Sequence, residues 1–368
     1  MENRITVKTP DHEDYDVILA EDFRTLPEHL RKMNLSPDKV CIISDTHTRP
    51  LYEAEIVSLL KEIYLDPFCF SFEAGEEHKN LESIEGLYDF LLENRFTRKS
   101  LLISLGGGVT GDMTGFAAAT YRRGIPFVQI PTTLLSQVDA SIGGKTGFDY
   151  HGYKNMIGAF HMPSLVYIST KTLETLPERE YISGLAENIK HGLIKDEKFY
   201  EWMLNRMDQI VSRDSRTVAE MIRRSLRIKQ ETVESDPTEK GLRMILNYGH
   251  TIGHAIEKAK DFRLTHGECV ALGCIASAKI SCDRGMLPQD ELYELRDSCV
   301  GFGLPVFLDG TDTEKILELT KSDKKASDGH IRFILLGGIG NAVIADDVSD
   351  DEIRNGIQFI NGDLLNGQ

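Results

Sequence analysis

The chain has 368 residues, of which 41% are hydrophobic and 27% charged, ordinary for a soluble globular protein and enough for two separate cores. Its formal net charge of −16 argues against a nucleic-acid or anionic-membrane surface, since both need a basic footprint. Residues 1–6 contain no apolar leader core, no apolar run reaches the ~18 residues of a spanning helix, and Cys41, Cys69, Cys269, Cys274, Cys282 and Cys299 show no C-x-x-C spacing; a reduced, cytoplasmic protein is the expectation.

In chain order, residues 40–44, 67–72, 101–105, 127–130 and 164–169 are short apolar runs that read as buried strands, alternating with helical patterns. That alternation predicts βαβ units and a mainly parallel sheet. After Leu176 the character changes. Residues 179–303 carry almost only helical periodicity, clearest at 218–233 and 268–284. Residues 331–336 and 342–344, separated by 337–341, read as one late hairpin. The expected architecture is an α/β, Rossmann-like N-terminal domain over 1–176 and an all-α C-terminal domain over 177–368.

Three stretches carry chemistry. Residues 101–105 run straight into Gly106-Gly107-Gly108-Val109-Thr110-Gly111-Asp112, with a helical pattern from Met113. Glycines between a strand and a helix let a pyrophosphate approach the backbone and the helix N-terminus. The loop departs from the common dinucleotide fingerprint because it follows the third strand, and the next strand ends in Gln129 where an acid is usual. Asp45, ending the first apolar strand, is the candidate ribose contact instead. A tight strand-to-helix turn with no ligand is the bland reading. Residues 141–147 and 152–155 then place Lys145 and Lys154-Asn155 near glycines in segments poor in charge, and Thr132 and Thr133 close a strand with two hydroxyls, as an anion pocket would. Lysines in a loop are otherwise simply solvated, and the same caution applies to Glu187–Lys190 and to Asp323-Lys324-Lys325.

The densest signal is Asn247-Tyr248-Gly249-His250-Thr251-Ile252-Gly253-His254, with His266 shortly after. His250 and His254 stand four apart and project from one helix face. Three of the chain's eleven histidines in so short a window suggest a metal. Glu187, interrupting an apolar helix face, offers a carboxylate. Three protein donors with one open position make a catalytic zinc arrangement. The residues alone leave two sets open: His250, His254 and His266, or Glu187 with two of them.

Taken together, residues 106–112, 131–139, 143–147, 154–160, 184–190 and 247–257 resemble the 3-dehydroquinate synthase family, in unbroken order over nearly the whole chain. The resemblance implies a dehydroquinate synthase-like fold whose 1–176 domain binds NAD and whose helical 177–368 domain binds metal and substrate. It implies Zn²⁺ or Co²⁺ held by Glu187, His250 and His266. It assigns NAD contacts to Asp45, Gly75, Glu76, Lys79, Gly108, Val109, Thr110, Gly111, Asp112, Thr132, Thr133, Asp139, Lys145, Lys154, Thr172, Leu173, Glu174 and Thr175. Substrate contacts fall on Lys145, Lys154, Asn155, Lys190, Arg123, Lys229, Arg243, Asn247, His254 and one of Lys324 or Lys325, with Lys325 preferred.

The implied reaction converts 3-deoxy-D-arabino-heptulosonate 7-phosphate, a small phosphorylated sugar acid, to 3-dehydroquinate and phosphate within the shikimate route to chorismate and the aromatic amino acids. It runs through transient oxidation, phosphate elimination, return of the hydride and an aldol ring closure. A cytoplasmic homodimer is implied as well. Another NAD- and metal-dependent sugar phosphate cyclase, such as a 2-deoxy-scyllo-inosose synthase, is the nearest alternative. Metal-dependent polyol dehydrogenases, which release NADH, are the next. Asn188 and Asp149 stand where the family more often has an apolar residue and Asn.

Overall fold

The computed structural model describes residues 3–9, 13–64, 66–237, 239, 241–321 and 332–361. It divides into two compact units, Met1–Leu176 and Pro177–Gln368.

The first unit holds strands β1 (Asn3–Val7), β2 (Tyr15–Ala20), β3 (Val40–Asp45), β4 (Phe68–Phe72), β5 (Leu101–Gly106) and β6 (Phe127–Pro131), then β7 (Lys145–Tyr150), β8 (Tyr153–Phe160) and β9 (Leu165–Ser169). Its helices are α1 (Leu26–Lys32), α2 (Arg49–Leu60), α3 (Leu81–Glu93) and α4 (Gly108–Thr120). Seven strands form one sheet in the order β1-β2-β9-β6-β5-β3-β4, parallel throughout except for the antiparallel edge pair β1–β2.

Alternate residues of each central strand point to opposite faces. Val40 and Ile42, with Leu101, Ile103 and Leu105, pack beneath α1 and α2 around Leu26, Leu30 and Ile56. Cys41, Ile43 and Leu102 pack beneath α3 and α4 around Leu87, Leu91, Met113 and Ala117. A sheet covered on both faces makes its strands continuously apolar, which is why they stand out in the sequence.

The strand order reverses direction between β3 and β5: β4 lies on one side of β3, while the chain returns to place β5 on the other. A crevice opens at the carboxyl ends of the strands at such a point, and ligands of doubly wound sheets bind there. Asp45 and Gly106 end the two strands that flank it.

Three features differ from the sequence expectation. The apolar runs do not include β1 and β2; β1, Asn-Arg-Ile-Thr-Val, is an edge strand with little apolar patterning. The lysine-bearing residues 145–160 are not loop but the antiparallel hairpin β7–β8. Its two-residue turn has positive φ at His151 (49°) and Gly152 (78°), the twist that suits a tight hairpin. Gln129 lies buried inside β6, which continues to Pro131.

The second unit is helical: α5 (Glu178–Lys195), α6 (Glu197–Leu204), α7 (Met207–Val211), α8 (Ser215–Ser235), α9 (His250–Ala259), α10 (His266–Asp283), α11 (Gln289–Gly301), α12 (Thr313–Thr320) and α13 (Asp350–Asn361). One hairpin, β10 (Phe333–Leu336) with β11 (Ala342–Ala345), interrupts it. Residue 331 of the expected hairpin lies outside the described residues. Helix α10 is the axis of this unit. It is apolar on nearly every side, as a helix surrounded by others must be, and packs against α5, α9, α11 and α13.

Candidate active site

In the second unit, three helices carry the donor set. Two glycine contacts bring them close. A Cβ on Gly273 of α10 would sit 1.9 Å from the carbonyl oxygen of Gly249, just before α9, and one on Gly267 would sit 1.9 Å from the carbonyl oxygen of Ser183 on α5. Only glycine permits either approach. His250 and His266 are the first residues of α9 and α10, and Glu187 lies mid-way along α5. The start of α10 is fixed by a capping box, Thr265 Oγ1 accepting from the Glu268 N–H while Glu268 accepts from the Thr265 N–H. Arg179 of α5 grips the Glu268 carboxylate through two nitrogens, at 3.1 and 2.7 Å.

Glu187, His250 and His266 thereby place one donor atom each within 4.8 Å of one another. The Nε2 atoms of His250 and His266 stand 3.6 and 3.5 Å from the same Glu187 Oε1. These separations exceed a normal hydrogen bond. Donors bound to one tetrahedral cation at ~2.1 Å would stand about 3.4 Å apart, so the geometry fits a zinc-like ion. His254, also on α9, has its ring centroid 5.3 Å from that of His250 and 6.0 Å from that of His266, but its side is exposed.

The field within the cluster is uneven. Burial, aided by the neighbouring Lys190 ammonium, holds His250 well below the usual histidine range, so its imidazole is neutral and its lone pair available. Burial also opposes a charge on His266, yet the Glu187 and Glu257 carboxylates prevail and raise it to about 9. Lys190 is ion-paired with Glu187 at the next turn of α5, and both are almost completely buried.

Three more of the expected substrate contacts, Lys229, Arg243 and Asn247, sit on elements packed against α5. Lys229 is buried on α8, and Arg243 and Asn247 lie on the 3₁₀ turn Leu242–Asn247, which packs on both α5 and α8. Arg243 is 1% exposed and donates through Nη1 to the Pro237 carbonyl at 2.7 Å. Asn247 donates to Glu239 Oε1 at 2.7 Å. The expected lysines 324 and 325 lie outside the described residues.

In the first unit, α4 begins at Gly108, earlier than the periodicity suggested, so Val109, Thr110, Gly111 and Asp112 form its first turn. Gly107 caps that helix with no side chain, and a Cβ there would crowd Thr133 at 3.1 Å. Its leading N–H groups lack intrahelical partners, which suits a pyrophosphate. Asp45 accepts from the N–H groups of His47 and Thr48 and from the hydroxyls of Thr48 and Thr110, at 2.7 to 3.0 Å. The last of these ties the end of β3 to α4.

Lys79, buried, donates to Asp112 at 2.6 Å and to Asn155 Oδ1 at 2.5 Å, which pins the hairpin β7–β8 to the start of α4. Burial alone would lower the Lys79 ammonium; Asp112 and Glu76 outweigh it and raise it instead. Lys154 pairs with Glu76 at 3.3 Å, just after Gly75 at φ 122°. Thr133 lies in a hydroxyl-capped turn with Ser136, and its neighbour Thr132 donates its N–H to the Gly106 carbonyl. Asp139 sits on the π-helical turn Ser136–Ala140 that follows. Thr172, Leu173, Glu174 and Thr175 continue β9 into a 3₁₀ turn where Thr175 meets the Tyr52 hydroxyl. Lys145 opens β7 and is exposed. Arg123 is not gathered with them. It lies exposed at φ 66° beyond the far end of α4, whose thirteen residues span about 20 Å.

Glu257 is not among the residues that the sequence patterns single out. It lies seven residues after His250 on the same helix face, so the i, i+4, i+7 pattern His250-His254-Glu257 was the available signal.

Residues 69–183 match the family described as 3-dehydroquinate synthase N-terminal, and residues 184–326 the one described as 3-dehydroquinate synthase C-terminal. The chain belongs to the 3-dehydroquinate synthase family. It is 43% identical over 343 residues to the 3-dehydroquinate synthase of Nitrosospira multiformis, covering 93% of each chain. It is 46% identical over 316 residues to that of Nitrosomonas europaea, covering 86% of each. Among solved structures, a 2-epi-5-epi-valiolone synthase from Streptomyces hygroscopicus, determined with NAD⁺ and Zn²⁺ bound, matches with a TM-score of 0.89 at 28% identity, over 96% of this chain and 98% of that one. Identity to the family's own enzymes well above that to a sister cyclase does not favour the alternative cyclase reading.

Proposed function

We propose that this chain is a lyase that converts 3-deoxy-D-arabino-heptulosonate 7-phosphate to 3-dehydroquinate and phosphate, using NAD⁺ and one divalent cation, zinc or cobalt. One observation supports the reading: in a member of this family, His250 Nε2 and His266 Nε2 stand 3.6 and 3.5 Å from one Glu187 oxygen, close to the spacing of donors on a tetrahedral ion. When bound, NAD⁺ and the cation supply a reversible oxidation of one substrate hydroxyl and polarise its oxygen. The residues of the chain do the rest.

In this reading the first unit, 1–176, holds NAD⁺. Asp45, Gly75, Glu76, Lys79, Gly108–Asp112, Thr132, Thr133, Asp139, Lys145, Lys154 and the turn 172–175 are its contacts, with the bare start of α4 facing the pyrophosphate. The second unit, 177–368, holds the cation and presents Lys190, Lys229, Arg243, Asn247 and His254 to the substrate. Compact cations and a guanidinium suit a carboxylate and a dianionic phosphate, which an acidic chain must gather locally. Lys145, Lys154, Asn155 and Lys325 complete the proposed contacts; Arg123, at the far end of α4, is not among them. A cytoplasmic homodimer serving the shikimate pathway belongs to the same reading. No helix among the described residues is long and apolar enough to cross a membrane.

The test is turnover of the heptulosonate phosphate by protein reloaded with zinc, followed as phosphate release. Release from this substrate and not from hexose phosphates supports the reading; the reverse preference would assign the chain to another cyclase activity.

A further inference from the structure

The two histidines of the cluster are oriented by different acceptors. His250 Nδ1 lies 3.1 Å from the carbonyl oxygen of Tyr248, which can only accept, so Nδ1 carries the proton and Nε2 faces Glu187. The left-handed backbone at Gly249, φ 78°, aims that carbonyl. His266 Nδ1 lies 2.9 Å from Glu257 Oε1, and its Nε2 also faces Glu187. Glu257 is 2% exposed and sits on α9, so a residue of one helix orients the ligand borne by the next.

A carboxylate is a costly group to bury. Here it stands against the far nitrogen of an imidazole whose near nitrogen points at the donor cluster. An ionised carboxylate behind a histidine fixes the ring's tautomer and makes the opposite nitrogen a stronger donor, and it adds negative charge where a dication would rest.

We propose that Glu257 is a positioning residue of the metal centre: it holds His266 with the proton on Nδ1 and strengthens Nε2 as a ligand, without touching the ion. This rests on the reading of Glu187, His250 and His266 as the ligands. A rival arrangement is also present, because donor atoms of His254, Glu257 and His266 lie within 4.8 Å of one another. In that set Glu257 would itself be a ligand. The hydrogen bond to Nδ1 and the exposure of His254 favour the positioning role.

The experiment is a zinc titration of full-length, metal-stripped protein against a chromophoric chelator, for wild type, Glu257→Gln and His250→Ala. The expected result is one zinc per chain in Glu257→Gln, bound about 10- to 100-fold more weakly than in wild type. Unchanged affinity, with or without a lower unfolding midpoint of the metal-free variant, would make Glu257 merely structural and overturn the proposal. Complete loss of zinc at saturating concentration would make it a ligand, which also overturns it. His250→Ala separates the two levels: wild-type zinc affinity in that variant means that the ligand assignment itself has failed. Should Glu257→Gln not fold, imidazole ¹⁵N spectra of zinc-loaded wild type decide the matter. Zinc on Nε2 and a proton on Nδ1 of His266 uphold the proposal, and the opposite arrangement refutes it.

Discussion

Glu187, His250 and His266 come from three helices, and His250 is only partly buried, at the first position of α9. Removing the His250 donor therefore acts on the ion more than on the fold. His250→Ala should lose bound zinc while the far-ultraviolet circular dichroism and the denaturant midpoint of the metal-free protein stay near wild type. Full zinc occupancy by elemental analysis would contradict the assignment. Lys154 presents a different case, since its ammonium pairs with Glu76 and is only partly buried. If it grips substrate, Lys154→Ala should lower kcat/KM by one or more powers of ten, each about 1.4 kcal/mol, with metal content unchanged. Unchanged kinetics would leave it a solvated lysine. At this scale the sequence was informative wherever the donors were local: the histidine spacing and the glycine loop could be read directly. Choosing Glu187 over His254 could not be done from spacing, because it depends on the approach of α5 to α9 and α10. The family resemblance supplies that choice, and the structure brings together both this set and His254, Glu257 and His266.

At the scale of elements, the site depends on how closely helices meet. Gly273→Ala would drive a methyl group into the Gly249 carbonyl, 1.9 Å away, so α9 must shift from α10. We expect a loss of about 1–3 kcal/mol in denaturant unfolding, as overpacking costs, together with weaker zinc binding. Thr265→Ala, which removes half of the capping box under His266, should cost about 1 kcal/mol. A wild-type zinc affinity in Gly273→Ala would mean that the close approach serves packing alone.

Helix α13 offers a pH test away from the site. Arg284 holds Glu352 through two nitrogens, which lowers the Glu352 carboxyl to about 2 from its ordinary 4.5. A carboxyl depressed in the folded state stabilises fully above its unfolded value and loses that contribution as the pH falls toward the folded one. Stability should thus decline between about pH 4.5 and 2 in wild type, and less steeply in Glu352→Gln, by chemical denaturation at each pH. Equal slopes would show that the pair contributes nothing. Elements with two covered faces were legible as apolar runs. The hairpin β7–β8 was not, because most of β8 is exposed and its residues Tyr153–Phe160 show no clean alternation; the long-range tie from Lys79 to Asn155 is what relates it to α4.

For the whole molecule, two compact units with separate cores predict separable ligand effects. Zinc should protect backbone amides of α5, α9 and α10 from hydrogen exchange, and NAD⁺ those at the ends of β3 and β5 and the start of α4. Each ligand at about 100 times its Kd stabilises what it binds by about 2.7 kcal/mol. Protection by NAD⁺ confined to the second unit would refute the assignment of the cofactor to the first. The central claim is that the oxidation is transient, so hydride leaves and returns to the same substrate. The most direct measurement is phosphate release from 3-deoxy-D-arabino-heptulosonate 7-phosphate by the zinc-loaded protein with NAD⁺ far below the substrate concentration. The account predicts many turnovers per NAD⁺, one phosphate and one 3-dehydroquinate per substrate, and no accumulation of NADH. NADH formed in step with product, or turnover that stops when NAD⁺ is consumed, would contradict it.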